Sequence, residues 1–147
     1  MSTIGTIGYA TATLPGLIER IAGEGVTLVV DVRAIAASRR PGFAKGQLAA
    51  GLAERGLGYL HLRDLGTPAD GRAAARAGRH LRMRTIVEAH LTTIEAQAAL
   101  ALLAARVARG ERICLLCLEA DPRHCHRSIV AEHLARTTGA DIRHLVD

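Results

Sequence analysis

Val26-Thr-Leu-Val-Val-Asp-Val32 is a nearly unbroken run of β-branched and apolar residues, and it gives the first indication of the fold. A strand with one face in solvent alternates apolar and polar residues, whereas this run does not alternate. It therefore predicts a strand that is covered on both faces, as strands are in a parallel sheet. Asp31 lies near the carboxyl end of the run, where functional residues gather in such sheets.

Four other segments have a similar strand-like character and are separated by helical patterns. Strands are predicted at 3–9, 57–62, 112–118 and 142–146, and helices at about 13–21, 45–56, 92–109 and 123–138. The stretch 63–91 is left open, as a loop followed by short helices. Alternating strands and helices predict an α/β fold. We expect one domain over residues 1–147, with three α/β/α layers around a mostly parallel, Rossmann-like sheet of about five strands.

The composition narrows the class of protein. The chain has 147 residues, which suits one domain with its own core, and a formal net charge of +5. Arginine carries almost all of the positive charge, because Lys45 is the only lysine. Aromatic residues are too few for an RNA-binding sheet of stacked rings. The N-terminal sequence MSTIGTIGYA has no basic region or long apolar run, so we expect a cytoplasmic protein without a membrane segment.

Three cysteines, Cys114, Cys117 and Cys125, lie close together in the sequence. An odd number in one cluster is a poor disulfide framework, so we expect free thiols. Cys114 and Cys117 have the spacing of a zinc knuckle, but residues three apart in a strand point to opposite faces. Cys117, Cys125 and His126 could surround one ion, with His61 as a fourth ligand. No second ligand pair of fixed spacing accompanies them, so we predict no metal site and no cofactor.

Polar residues follow the predicted strands at one edge of the sheet and predict a functional site there. Cys125, His126 and Arg127 lie near the start of the final helix, where the helix dipole and cationic neighbours favour a thiolate. We therefore predict that Cys125 is a reactive thiol. The candidate catalytic residues are Asp31, Cys117, Glu119, Cys125 and His126. The candidate substrate-binding residues are Gly8, Tyr9, Arg33, Ser38, Arg39, Arg40, His61 and Arg127.

Two known types of site share part of this pattern. The spacing from Cys117 to Arg123 matches the cysteine-phosphatase loop. Glu119 and Asp121 inside that loop would repel a phosphate dianion, however, and the loop has no glycine. The sequence VDVR at 30–33, followed later by a strand-end cysteine, is similar to rhodanese sulfurtransferases but lacks their amide-rich cysteine loop.

Short motifs occur in a fixed order across nearly the whole chain. They are Thr6-Ile-Gly-Tyr9, Val30-Asp-Val-Arg33, Ser38-Arg-Arg-Pro-Gly-Phe43, Tyr59-Leu-His-Leu62 with Leu65-Gly66, Leu116-Cys-Leu-Glu119 and Pro122-x-x-Cys-His-Arg127. Together they resemble the DUF488 family. The resemblance implies a compact α/β domain and brings no substrate or cofactor with it. Tyr9 departs from the family's pattern, because many members have histidine there.

The sequence leaves two classes of function open. The favoured one is an enzyme whose polar pocket acts on an anionic substrate, a nucleotide or nucleic acid, because several arginines lie at one edge. The other is a non-catalytic phosphate- or nucleic-acid-binding module with structural cysteines, and rhodanese-like sulfur transfer is a further alternative. Arg72, Arg76 and Arg79 fall at helical spacing and would form one basic face, for which a solvated surface is the simpler interpretation.

Overall fold

The computed structural model describes residues 2–146, which form a five-stranded parallel sheet with helices on both faces. The strands are β1 (Thr3–Gly8), β2 (Leu28–Asp31), β3 (Gly58–His61), β4 (Ile113–Cys117) and β5 (Asp141–Leu145). The helices are α1 (Leu14–Gly23), α2 (Lys45–Glu54), α3 (Ala69–Arg76), α4 (His80–His90), α5 (Ile94–Ala108) and α6 (His126–Thr138). Each predicted strand is present, although most are shorter than predicted, and the α/β class is confirmed.

The strand order β3-β2-β4-β1-β5 fixes where a ligand would bind. All neighbouring strands are parallel. The connection that leaves β1 leads toward β2 on one side, whereas the connection that leaves β4 leads toward β5 on the other. In open α/β sheets, ligands bind in the crevice beyond the carboxyl ends of strands whose connections diverge in this way.

The helices form one layer on each face of the sheet. Side chains of α1 and α2 pack against one face, which includes Cys114 and Leu116 of β4. Side chains of α3, α4, α5 and α6 pack against the other face, which includes Leu115 and Cys117. Cys114 and Cys117 therefore belong to opposite sides of the sheet, as predicted.

The segment before α6 differs from the prediction. A helix was expected from about residue 123 with Asp121 as its N-cap, but Asp121 instead caps a separate 3-10 turn, Pro122–His124. Its carboxylate accepts a hydrogen bond from the Arg123 backbone at 2.9 Å. Cys125 then adopts an extended conformation (φ −127°, ψ 141°), which ends the turn, and α6 begins at His126. Cys125 is thus the residue that precedes the first turn of α6 rather than a member of that turn.

The stretch 63–91 contains a 3-10 turn, Arg63–Leu65, followed by α3 and α4. Gly78 separates the two helices with a positive φ of 76°, a conformation that glycine adopts readily. Arg79 therefore does not continue the helical face of Arg72 and Arg76, and the prediction of one basic face is wrong. Within residues 2–146, no single helix is long and apolar enough to cross a membrane.

Candidate functional site

A cleft of about 250 Å³ opens at the carboxyl edge of the sheet. Its walls come from Tyr9 after β1, from the segment after β2 that begins at Arg33, and from α3. Cys117, Cys125 and His126 also line the cleft, although each of these side chains is buried. The fold therefore brings the end of β4 and the start of α6 to one cavity.

A cluster of two thiols and one imidazole forms the buried part of this cleft. The ligand atoms of Cys117, Cys125 and His126 all lie within 4.8 Å of one another. His126 Nε2 lies 2.6 Å from the Val32 carbonyl oxygen, which can only accept a hydrogen bond, so Nε2 carries a proton. The other ring nitrogen, Nδ1, faces Cys117 Sγ at 3.5 Å. The imidazole is thus oriented with one nitrogen toward the thiols.

The cluster shifts the pKa values of its two cysteines in opposite directions. A hydrogen bond from the Cys117 thiol holds the pKa of Cys125 well below its ordinary value, although burial acts in the opposite direction. His126 and the charge of Arg127 lower it further. The same hydrogen bond, together with burial, raises the pKa of Cys117 well above its ordinary value. Cys125 is therefore the thiol that this arrangement favours as a thiolate.

Arg127 supports the loop that follows β4. Its side chain is fully buried, and its guanidinium donates to the carbonyl oxygens of Glu119 and Ala120. Its Nε has no hydrogen-bond partner in the described part of the chain. Arg127 therefore fixes the backbone of Glu119, whose side chain is exposed and lines the cleft. Its positive charge lowers the pKa of Cys125, although Arg127 does not line the cleft itself.

Asp31 and Arg33 form a buried ion pair at the end of β2. Asp31 Oδ1 accepts from Arg33 Nε at 2.8 Å, and Oδ2 accepts from Arg33 Nη2 and from the Tyr59 hydroxyl, each at 2.6 Å. Burial and this bond raise the pKa of Tyr59. Burial alone would lower the pKa of Arg33, but Asp31 raises it above its ordinary value. Both carboxylate oxygens are therefore occupied, and the pair braces the loop.

An aromatic pair continues this network toward the cleft. The Tyr9 and Phe43 rings stack with centroids 4.6 Å apart, and the Arg33 guanidinium lies 5.2 Å from the centre of the Tyr9 ring. Arg33 Nη1 donates to the Phe43 carbonyl at 2.7 Å and to the Tyr9 hydroxyl at 3.2 Å. Tyr9 thus joins the ion pair to the cleft wall that it lines.

Comparison with known families agrees with the motifs at this edge. The profile of DUF488, a domain of unknown function, matches residues 13–134, which is most of the chain. The chain belongs to the DUF488 family. No curated protein matches it, and no solved structure matches it. In this DUF488 protein, the matched range includes both thiols and the imidazole of the cluster, whereas Gly8 and Tyr9 precede it.

Several predicted binding residues of this DUF488 protein brace loops outside the cleft. Ser38 Oγ accepts from the Arg40 backbone at 3.1 Å, and the Arg40 side chain donates to the Ala12 carbonyl. Arg39 is exposed and does not line the cleft. His61 Nε2 lies 2.7 Å from the Arg33 carbonyl oxygen and donates to it. Contacts within the protein therefore account for Ser38, Arg40 and His61 without a bound ligand.

Gly8 lies against the loop after β4. A Cβ atom at this position would lie 1.8 Å from the Glu119 carbonyl oxygen, so only glycine allows the two segments to approach this closely. The segment after β1 also follows that loop through hydrogen bonds from Tyr9 and Ala10 to the carbonyls of Cys117 and Leu118. Gly8 therefore shapes the cleft wall through the backbone.

Helix α3 contributes to the cleft, which the sequence pattern did not predict. Arg72 and Arg76 both line it, and Arg72 donates to the Thr67 carbonyl at 2.8 Å. Arg76 is exposed and forms no ion pair within residues 2–146. Ile35 and Leu118 add exposed apolar surface to the cleft lining. The helical spacing of Arg72 and Arg76 was visible in the sequence, but their position depends on where α3 packs.

The phosphatase-like spacing does not produce a phosphate cradle. The Arg123 side chain is 83% exposed and pairs with Asp121 at 2.9 Å. It does not line the cleft that contains Cys117. A cysteine phosphatase needs that arginine beside the anion, so the geometry disagrees with this interpretation.

Proposed function

We propose that this DUF488 protein is a thiol-dependent enzyme that acts on a small anionic substrate, with Cys125 as the nucleophile. One observation carries the proposal: two thiols and an imidazole of fixed orientation meet at the buried end of a cleft. A nucleophile beside a base that is itself oriented by a third group is the usual arrangement in covalent catalysis. Here the Val32 carbonyl orients the imidazole.

Each group in the cluster has a distinct chemical role in this proposal. The Cys125 sulfur attacks an electrophilic atom of the substrate and forms a covalent bond with it, while the leaving group departs with the bonding electrons. Nδ1 of His126 takes the proton of the Cys125 thiol and passes it to that leaving group. Cys117 stabilises the Cys125 thiolate as a hydrogen-bond donor. Asp31 has a supporting role, because both of its oxygens are occupied by Arg33 and Tyr59.

The cleft lining supports an anionic substrate. Arg76 offers a cation with no ion-pair partner in the described part of the chain, and Arg72 lies one helical turn away on α3. Ile35 and Leu118 provide an apolar surface beside them. A substrate that carries a carboxylate or phosphate next to an apolar portion matches this lining.

Alkylation with two reagents of different charge tests the proposal. Reduced, EDTA-treated protein is reacted at neutral pH and low salt with iodoacetate, which is anionic, and with iodoacetamide, which is neutral. We expect both reagents to modify Cys125 first, as identified by peptide mass spectrometry. The iodoacetate-to-iodoacetamide rate ratio should exceed that of the denatured protein by about fivefold, because a nearby cation contributes ~1 kcal/mol at such a site.

Two arginine variants separate the cleft from the general charge of the protein. Arg76→Ala should lower the rate ratio toward that of the denatured chain, whereas Arg39→Ala, an exposed arginine outside the cleft, should leave it unchanged. A Cys125 that resists alkylation until the protein unfolds would overturn the proposal. That result would favour the non-catalytic binding module, which the burial of both thiols suits.

A further inference from the structure

We propose that Cys117, Cys125 and His126 bind a thiophilic divalent metal ion of the zinc class, with one coordination position open to the cleft. The two sulfur atoms and the imidazole nitrogen lie within 4.8 Å of one another, and Cys117 Sγ lies 3.5 Å from His126 Nδ1. Tetrahedral zinc, with bonds of about 2.3 Å to sulfur and about 2.0 Å to nitrogen, holds such a pair roughly 3.5 Å apart. Small side-chain shifts would therefore complete the site.

The imidazole is already held in the orientation that a metal ligand requires. Histidine ligands usually donate their second ring nitrogen to a carbonyl or carboxylate, which fixes the tautomer and the ring plane. His126 Nε2 donates to the Val32 carbonyl at 2.6 Å, and its Nδ1 faces the thiols. The hydrogen bond to Val32 is therefore the kind that orients a histidine ligand in a metal site.

The donor set also indicates the kind of ion and the coordination number. Thiolate and imidazole ligands suit zinc and other soft or borderline ions, whereas magnesium and calcium need oxygen ligands. His61, the fourth ligand considered from the sequence, uses its Nε2 on the Arg33 carbonyl. The ion would therefore have three protein ligands and an open position, an arrangement typical of catalytic rather than structural zinc. This proposal replaces the sequence-based expectation of no metal site.

The metal proposal shares its residues with the proposed enzyme but does not depend on their reactivity. Cys125 cannot attack an electrophile while its sulfur is bound to a metal ion. A bound ion would therefore block alkylation reversibly, and its removal would restore the free thiol. The two proposals can fail independently of each other.

Cobalt substitution provides a direct test in the reduced full-length chain. Adding Co²⁺ to metal-free protein should produce thiolate-to-cobalt charge-transfer absorption that saturates at one ion per chain, and Zn²⁺ should then remove it. Cys117→Ser, Cys125→Ser and His126→Ala should each weaken Co²⁺ binding by at least about tenfold, because each removes one of three ligands. Cys114→Ser is the matched control and should bind normally, because Cys114 lies on the opposite face of β4.

A second measurement needs no variant that might fail to fold. Stoichiometric Zn²⁺ should slow iodoacetamide modification of Cys125 in the wild-type protein by at least about tenfold, and EDTA should reverse this. No charge-transfer absorption, equal absorption in Cys125→Ser, or a Cys125 that reacts equally fast with and without Zn²⁺ would overturn the metal proposal. If the protein binds Co²⁺ but its metal-free Cys125 does not react, the proposed enzyme function fails and the metal proposal stands.

Discussion

His126 Nε2 donates a hydrogen bond to the Val32 carbonyl oxygen at 2.6 Å, which connects the start of α6 to the segment after β2. The bond decides which ring nitrogen faces the thiols. We expect His126→Ala to slow iodoacetamide modification of Cys125 by about tenfold, because the imidazole lowers the pKa of this thiol and its loss leaves less of the reactive thiolate. The rate is measured on folded, metal-free protein.

A second histidine of α6 provides the control for that experiment. His133 Nε2 lies 3.1 Å from a Glu88 carboxylate oxygen, away from the cleft. His133→Ala should leave the modification rate of Cys125 unchanged. Equal rates in His126→Ala and the wild type would contradict the role assigned to the imidazole.

The three cysteines should differ in their order of alkylation. Cys125 has a lowered pKa, Cys117 a raised one, and burial raises the pKa of Cys114 to about 12. The thiolate is the reactive form, so a limiting dose of iodoacetamide at neutral pH should label Cys125 first. Cys125→Ser should abolish this fast labelling, whereas Cys114→Ser should preserve it. First labelling at Cys117 would show that the two acidities are reversed.

The ion pair of Asp31 and Arg33 should contribute strongly to stability. Asp31 is fully buried, and Asp31→Asn removes the charge that pairs with Arg33. We expect the free energy of unfolding to fall by about 3–5 kcal/mol, because the substitution leaves a buried cation unpaired. Tyr59→Phe should cost less, about 1.5–3 kcal/mol, because it removes one hydrogen bond to a charged group. Urea unfolding measures both changes.

The same Asp31→Asn variant tests whether the carboxylate takes part in the chemistry. If Asp31 only braces the loop, the folded fraction should retain the wild-type labelling rate at Cys125. A folded variant with a much slower rate would instead support the catalytic role that the sequence predicted for Asp31.

The sequence predicted at which edge of the sheet the site lies, because runs of apolar residues indicate where each strand ends. The uninterrupted run that ends near Asp31 and the strand that ends at Cys117 indicated parallel strands, and parallel strands bring their carboxyl ends to one edge. The sequence alone therefore places Cys117 and Cys125 in one region. Their contact with His126 depends on the turn between them, which no periodic pattern describes.

Some features of the site could not be predicted from the sequence. They depend either on a choice between two local conformations or on the packing of segments that are distant in the sequence. Asp121 followed by Pro122 is an equally good start for a 3-10 turn and for an α-helix, and the extended Cys125 decides between them. Arg76 reaches the cleft only because α3 packs beside it, which is a tertiary contact. Serine and arginine side chains often bind anions, but here Ser38 and Arg40 form hydrogen bonds with backbone groups of the same chain.

His144 should make the stability of the sheet depend on pH. Its Nδ1 lies 2.5 Å from Thr6 Oγ1 on the neighbouring strand β1, and partial desolvation of the ring, together with the charge of Arg127, lowers its pKa. The unfolded chain therefore takes up a proton at a higher pH than the folded one. The melting temperature should fall as the pH is lowered below about 6.5, the ordinary value for histidine. His144→Gln should make this decline shallower, and an unchanged decline would contradict the assignment.

Gly8 connects the first strand to the loop that Arg127 supports. A Cβ atom at position 8 would lie 1.8 Å from the carbonyl oxygen and 2.5 Å from the carbonyl carbon of Glu119. Both are backbone atoms, so a side-chain rotation cannot relieve the overlap. Arg127 donates to the same carbonyl oxygen, and its guanidinium is buried. Any displacement of Glu119 therefore also disturbs the hydrogen bonds of a buried cation.

We accordingly expect Gly8→Ala to lower the free energy of unfolding by about 3 kcal/mol, at the upper end of overpacking costs, because backbone must move. It should also disturb the cleft and slow labelling of Cys125. Gly46→Ala is the matched control, since a Cβ there meets nothing within 4 Å in α2. That change should stabilise the protein slightly, by up to about 1 kcal/mol, by restricting the unfolded chain. Similar unfolding curves for the two variants would show that β1 and the loop after β4 can move apart without a loss of stability.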